Sequence, residues 1–81
     1  MYNGWPNYET WNVMLWMDNE EGNYRHYRER VDACQRRKLR VTGVRAKAWC
    51  EACMGDRTGD AVSLSNSRIR WASIAAAMRE N

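Results

Sequence analysis

Phenylalanine is absent from this 81-residue chain of 9.6 kDa, and proline and histidine occur once each. The longest apolar runs have five residues, whereas a membrane helix needs about 20 and a signal peptide at least about 7. No glycine-rich loop is present, and the length suits a single small domain spanning residues 1–81. These absences exclude a two-domain enzyme and a nucleotide-binding fold. We expect a cytoplasmic protein with no export signal and no membrane span.

Metal-binding and catalytic residues are also scarce. Cys50 and Cys53 have the C-x-x-C spacing, and Cys34 with His26 would complete a four-ligand zinc set. The pair lies in a helix-forming stretch without a knuckle glycine, so small buried apolar side chains are the favoured interpretation. An odd number of cysteines without an export signal argues against a disulfide framework. We expect no metal, no cofactor and no enzyme activity.

Aromatic residues are instead abundant, with five tryptophans and four tyrosines. Each can bury about 150–250 Å², which a chain this short needs in order to build a core. We therefore predict a Trp/Tyr-rich core. The tryptophans are Trp5, Trp11, Trp16, Trp49 and Trp71.

Apolar spacing predicts an all-α fold of about four helices. Asn7 can cap a first helix over residues 8–19, whose inward face would carry Tyr8, Trp11 and Leu15 with Met14. Gly22 would then break the chain. A second amphipathic helix would follow, with an inward stripe of Tyr24, Tyr27, Val31 and Cys34.

Two further helices complete the prediction. The third runs over residues 44–54 and would turn Val44, Ala48, Ala52, Trp49 and Cys53 inward. The last has Trp71, Ile74, Ala75 and Met78 at positions i, i+3, i+4 and i+7. No segment predicts a convincing strand.

Charge is strongly polarised along the chain although the formal net charge is only +3. Nine bases and two acids occupy residues 22–48, and a basic run there is typical of a phosphate-binding surface. The bland alternative is a solvated face. The nucleic-acid-binding candidates are Arg36, Arg37, Lys38, Arg40, Arg45 and Lys47.

The first 21 residues have the opposite character, with four acids and no lysine or arginine. Acids at the end of a helix oppose its dipole, so they do not stabilise that helix. One interpretation is a docking surface for a basic protein groove, and the other is an ordinary solvated turn. The candidate acidic residues are Asp18, Glu20, Glu21, Asp56 and Asp60.

Two motifs resemble a family of small proteins encoded by phages, prophages and plasmids. Residues 3–13 read N-G-W-P-N-Y-E-T-W-N-V and are followed by Leu15-Trp16 and Asp18-Asn19. Residues 69–75 match the family's C-terminal V-D/N-W-x-x-I-A pattern, except that Arg70 stands where an acid or amide would cap the last helix. That helix is therefore expected to start earlier, with Ser67 as its cap. Together the motifs cover about a third of the chain.

Because the proteins of this family are encoded on mobile genetic elements, the resemblance implies an accessory function, such as inhibition of host defence. The resemblance leaves two roles open for Asn7, Glu9 and Asn12, which either cap a helix or lie at the surface and recognise a binding partner. Our first hypothesis is an anti-CRISPR protein that binds a CRISPR surveillance complex stoichiometrically and blocks target DNA. The alternative is a small basic nucleic-acid-binding accessory protein.

Overall fold

The structure, a computed structural model, describes residues 1–80. These residues contain four α-helices and one long loop. The helices are α1 (Tyr8–Asn19), α2 (Glu21–Arg36), α3 (Gly43–Met54) and α4 (Trp71–Glu80). The predicted all-α class is confirmed. Among the described residues, β-structure is limited to two isolated bridges, Tyr2 with Trp5 and Arg57 with Ser63.

Polar side chains set the helix starts. Asn7 caps α1 as predicted, because its Oδ1 accepts a hydrogen bond of 2.9 Å from the backbone N–H of Thr10. Thr42 caps α3 in the same way through Arg45 N–H. The predicted break at Gly22 is wrong by two residues. The extended residue is Glu20, whose side chain accepts from Gly22 N–H and so starts α2 before the glycine.

A Schellman turn ends α2. Leu39 N–H donates to Cys34 C=O at 2.7 Å, and Lys38 N–H donates to Gln35 C=O at 3.1 Å. Lys38 has a φ of +56°, in the left-handed region where glycine is the usual occupant. The turn thus places a lysine where the backbone favours glycine.

The core is mainly aliphatic and thioether in character. Its largest fully buried side chains are Tyr27, Met14, Met17, Leu64, Ile74 and Met78. The predicted Trp/Tyr-rich core is wrong, because no tryptophan is fully buried and Tyr27 is the one buried tyrosine among the described residues. Trp5, Trp49 and Trp71 pack against the outside of the core. Unbranched methionine adapts to an irregular interior more readily than a rigid indole.

The buried face of α1 also differs from the prediction. Met14 is buried as expected, but its buried companions are Val13, Met17, Thr10 and Asn12. The expected inward residues Tyr8, Trp11 and Leu15 are exposed or half-buried. Because α1 is apolar around most of its circumference, apolar spacing could not select the face that packs inward.

The other helices follow the prediction unevenly. In α3 the buried residues are Ala46 and Cys50. The predicted inward face is wrong for Val44, Ala48 and Ala52, which are exposed, whereas Trp49 and Cys53 pack against the core as predicted. The stripe of α2 is buried from Tyr27 onward, although Tyr24 is exposed.

The last helix confirms its buried face but not its start. Ile74, Ala75 and Met78 are buried, as their spacing predicts. The helix begins at Trp71, so the expected earlier start with Ser67 as cap is wrong. Residues 55–70, which precede the helix, instead form a loop that is called the 55–70 loop. This loop inserts Val62, Leu64 and Ile69 into the core.

The Schellman turn predicts the effect of Lys38→Gly. Removing the side chain relieves the left-handed strain and should raise the free energy of unfolding by about 0.5–1 kcal/mol. Arg36→Gly is the control, since it also removes one charge but lies within the last turn of α2, where glycine should cost about 0.5–1 kcal/mol. Urea unfolding of both variants checks this, and a destabilised Lys38→Gly would contradict it.

Candidate functional site

Asn12 is the polar centre of the contact between α1 and the 55–70 loop, and it is fully buried. Its Nδ2 donates to Asp60 Oδ2 at 2.8 Å, and its Oδ1 accepts from Thr58 Oγ1 at 2.6 Å. Thr58 Oγ1 in turn accepts from the backbone N–H groups of Asp60 and Val62. A buried amide is costly unless it is hydrogen-bonded, so this network holds the loop in one position on α1.

Trp16 closes the outer side of this network. Its indole Nε1–H donates to Asp60 Oδ2 at 3.0 Å, and its ring lies so close to Gly59 that a methyl group there would overlap the ring carbons. The hydrogen bonds from Asn12 and Trp16 lower the pKa of the Asp60 carboxyl. The carboxylate therefore stays charged. Trp16 is held by its hydrogen bond to Asp60 and by the contact of its ring with Gly59.

The start of α1 is tied to the end of the same loop. Asn7 Nδ2 donates to Arg68 C=O at 2.7 Å, and Arg70 N–H donates to Thr10 Oγ1 at 3.0 Å. Glu9 pairs with Arg68 at 3.2 Å. Its own backbone N–H and Arg68 both lower its pKa. The motif left Asn7, Glu9 and Asn12 as either helix caps or surface recognition residues. All three contact the 55–70 loop.

Sequence reasoning did not identify Thr10, Thr58 and Asn12 as loop-fastening residues. Asn and Thr are poor formers of helix interiors because their side chains compete for backbone hydrogen bonds. Their presence inside an otherwise apolar helix was the available signal. What the sequence did not reveal was which segment would be the partner, because Thr58 lies 46 residues away from Asn12.

Three of the five acidic candidates, Asp18, Glu20 and Glu21, lie together at the junction of α1 and α2, here called the acidic corner. Each has a local contact. Asp18 accepts a short hydrogen bond from the hydroxyl of Tyr27, Glu20 caps α2, and Glu21 pairs with Arg25 at 2.6 Å.

A shallow groove adjoins the acidic corner. It has a volume of about 340 Å³ and is lined by Leu15, Trp16, Asn19 and Glu20. Its walls are mostly apolar, with the Glu20 side chain as the charged member.

The remaining two acidic candidates lie in the 55–70 loop and behave differently. Asp60 accepts a hydrogen bond from the indole of Trp16, which lines the groove, although Asp60 itself is not a lining residue. Asp56 pairs with the exposed Arg57 at 3.4 Å. The structure therefore associates Asp60, but not Asp56, with the groove beside the acidic corner.

The six basic candidates form a basic turn between α2 and the first half of α3. Arg36, Arg37, Lys38 and Arg40 are exposed, while Arg45 and Lys47 are half-buried. Arg45 donates to Arg40 C=O at 2.9 Å and so braces the turn. Within residues 1–80 the four ion pairs use other arginines, so no carboxylate neutralises the basic turn.

The cysteines and His26 are not assembled into a site in the described part of the chain. No three Cys, His, Asp or Glu residues there come together as a metal-binding group. Burial raises the pKa of the Cys50 thiol to about 12, far from the thiolate form that a nucleophile needs. Burial lowers the pKa of His26, and its Nε2 has no hydrogen-bond partner among residues 1–80.

Within residues 1–80, no helix is both long enough and apolar enough to cross a bilayer.

Comparison with known proteins gives the family and nothing more specific. The model described as "Family of unknown function (DUF7249)" matches residues 1–81, so the chain belongs to that family. No curated protein and no solved structure matches it.

The close approach of Trp16 predicts the effect of Gly59→Ala. The added methyl group must displace the indole and disturb its bond to Asp60, which should lower the free energy of unfolding by about 1–3 kcal/mol. Gly22→Ala is the matched control, because its Cβ would meet only Glu20 Oε1 at 3.5 Å and the change should stabilise α2 by about 0.4–1 kcal/mol. Thermal unfolding measures both, and equal stability of the two variants would refute the packing role of Gly59.

Proposed function

We propose that the protein is an anti-defence protein of a mobile genetic element, an anti-CRISPR inhibitor that acts in the cytoplasm of the bacterial host cell. It binds a CRISPR surveillance complex stoichiometrically and blocks target DNA. The observation that carries the proposal is the acidic corner with its adjoining apolar groove. Surveillance complexes hold guide and target in positively charged channels, and a carboxylate surface is complementary to such a channel.

The chemistry of the remaining side chains supports a binding role without catalysis. A nucleophile needs a base within hydrogen-bond reach, and the His26 Nε2 has no such partner among the described residues. The protonated Cys50 thiol is equally unsuited. The proposal therefore assigns no substrate and no cofactor, and its partner is a protein subunit of the defence complex.

Charge reversal at the acidic corner tests this function. Glu20→Arg with Glu21→Arg should abolish protection of a phage in plaque assays on a host with active CRISPR immunity, and should prevent binding to the purified surveillance complex. Asp18 is left unchanged because it bonds the buried Tyr27.

The matched control is Glu29→Arg with Glu51→Arg, which changes two exposed acids on α2 and α3 by the same charge. We expect this control to protect the phage as the parent protein does. Circular dichroism confirms that both variants fold. Full protection by the Glu20/Glu21 variant would reject the acidic corner as the surface that binds the surveillance complex.

A second function, nucleic-acid binding through the basic turn, is favoured by one specific observation. All six cations of that turn lack a carboxylate partner in the described chain, and the turn has a lysine, Lys38, at a backbone position that favours glycine. Clustered free cations neutralise phosphates and release counterions.

The salt dependence of DNA binding tests this alternative. For a labelled DNA duplex, the slope of log affinity against log salt is about −0.9 per phosphate contact, so Arg37→Glu with Arg40→Glu should flatten it by about 2. The control is Arg25→Glu with Arg57→Glu, since both arginines already have carboxylate partners. Absence of binding by the parent protein at low salt, measured by fluorescence anisotropy, would eliminate this function.

A further inference from the structure

The outward side of α1 carries an apolar stripe that is only partly covered, by Tyr2 near its start. Tyr8, Trp11 and Leu15 follow one another at i, i+3 and i+7, which places them on one helix face. Tyr8 is 39% exposed, and Trp11 and Leu15 are half-buried. These three residues are called the α1 stripe.

Both indoles at this surface are held in place before any partner arrives. The ring of Trp11 lies against Tyr2 and Tyr8, with centroid separations of 4.9 Å and 5.6 Å. Trp16, next to the stripe, is fixed by Asp60 and by Gly59. Rigid aromatic anchors lose little conformational entropy on binding, which is why Trp and Tyr dominate the strongest contacts of protein interfaces.

The charges at the groove end of this surface are acidic, whereas Arg68, which pairs with Glu9, lies at the other end. Glu20 lines the groove at the end of the stripe, and the Asp60 carboxylate lies against Trp16. The first basic residue of the sequence is Arg25, and it is paired with Glu21. Such a surface repels phosphate groups and attracts a segment that combines apolar side chains with lysine or arginine.

We propose that the α1 stripe and the adjoining groove are a docking surface for a cationic amphipathic segment of another protein. An apolar side chain of that segment enters the groove between Leu15 and Trp16, and its cations meet Glu20 and Asp60. The inference rests on the proposed function only in naming the defence complex as the protein that carries the segment. A second copy of this chain is a poorer fit, because the exposed apolar side chains of its basic turn, Leu39 and Val44, lie in different elements and not on one helix face.

A synthetic helical peptide of leucine and lysine is the first probe. Calorimetry should detect its binding to the full chain, and amide chemical shifts should change over residues 8–19. A peptide with glutamate in place of lysine should not bind, because both acids would repel it. A peptide with serine in place of leucine should not bind either, because the groove would stay empty.

Two matched variants locate the surface. Leu15→Arg should weaken binding of the leucine–lysine peptide by roughly tenfold or more. Val44→Arg makes the same chemical change on an exposed helix position of α3 and should leave binding unchanged. Tyr24→Ala and Trp11→Ala form a second pair, in which Trp11→Ala alone should weaken binding. Thermal unfolding confirms that each variant is folded.

Several results would overturn the inference. They are failure of the parent protein to bind the leucine–lysine peptide, equal binding by Leu15→Arg, and shift changes confined to the basic turn. A dimer of the parent protein that Leu15→Arg dissociates in sedimentation experiments would also overturn it, because the stripe would then be covered by a second copy.

Plaque assays separate this inference from the proposed function. If the parent protein binds the peptide on α1 but never protects a phage, the defence role fails and the docking surface stands. If the parent protein protects a phage but does not bind the peptide, the defence role stands and the docking surface fails.

Discussion

The buried amide of Asn12 is the constraint on which the rest of this structure depends. It has two polar ends and no access to water, so each end must find a partner. Thr58 and Asp60 supply those partners from a loop that is distant in sequence. Once this network forms, the 55–70 loop can lie against α1 in only one way, and its apolar residues Val62 and Leu64 enter the core between the helices.

The same network sets the rotation of α1. A helix with apolar residues around most of its surface could bury any of several faces, but Asn12 must face Thr58. Val13, Met14 and Met17 then point to the core, and Tyr8, Trp11 and Leu15 are left outside. The position of the α1 stripe outside the core is therefore a consequence of satisfying one buried polar side chain. Trp16 lies at the boundary, where Asp60 holds it.

The charges divide in a corresponding way. Acids at the α1–α2 junction are used locally, as the cap of α2, as an ion pair and as the partner of Tyr27. The cations of the basic turn have no such carboxylate partner in the described chain. The two surfaces consequently suit different partners. The acidic corner combines charge with an apolar groove, as protein interfaces do, whereas the basic turn presents a cluster of cations, as phosphate-binding surfaces do.

Local rules determined the four helices, the Asn7 cap and the inward face of α4, because spacing and capping depend on residues within one or two turns of each other. The polarised charge was equally evident from the sequence. Tertiary structure alone decided which faces of α1 and α3 are buried, that the tryptophans stay at the edge of the core, and that Asn12 binds Thr58. These outcomes depend on contacts between residues far apart in the chain, and the hydrophobic effect that drives burial has no direction of its own. Because α1 is apolar around most of its circumference, the face that it buries was decided by the Asn12 amide, which had to be hydrogen-bonded.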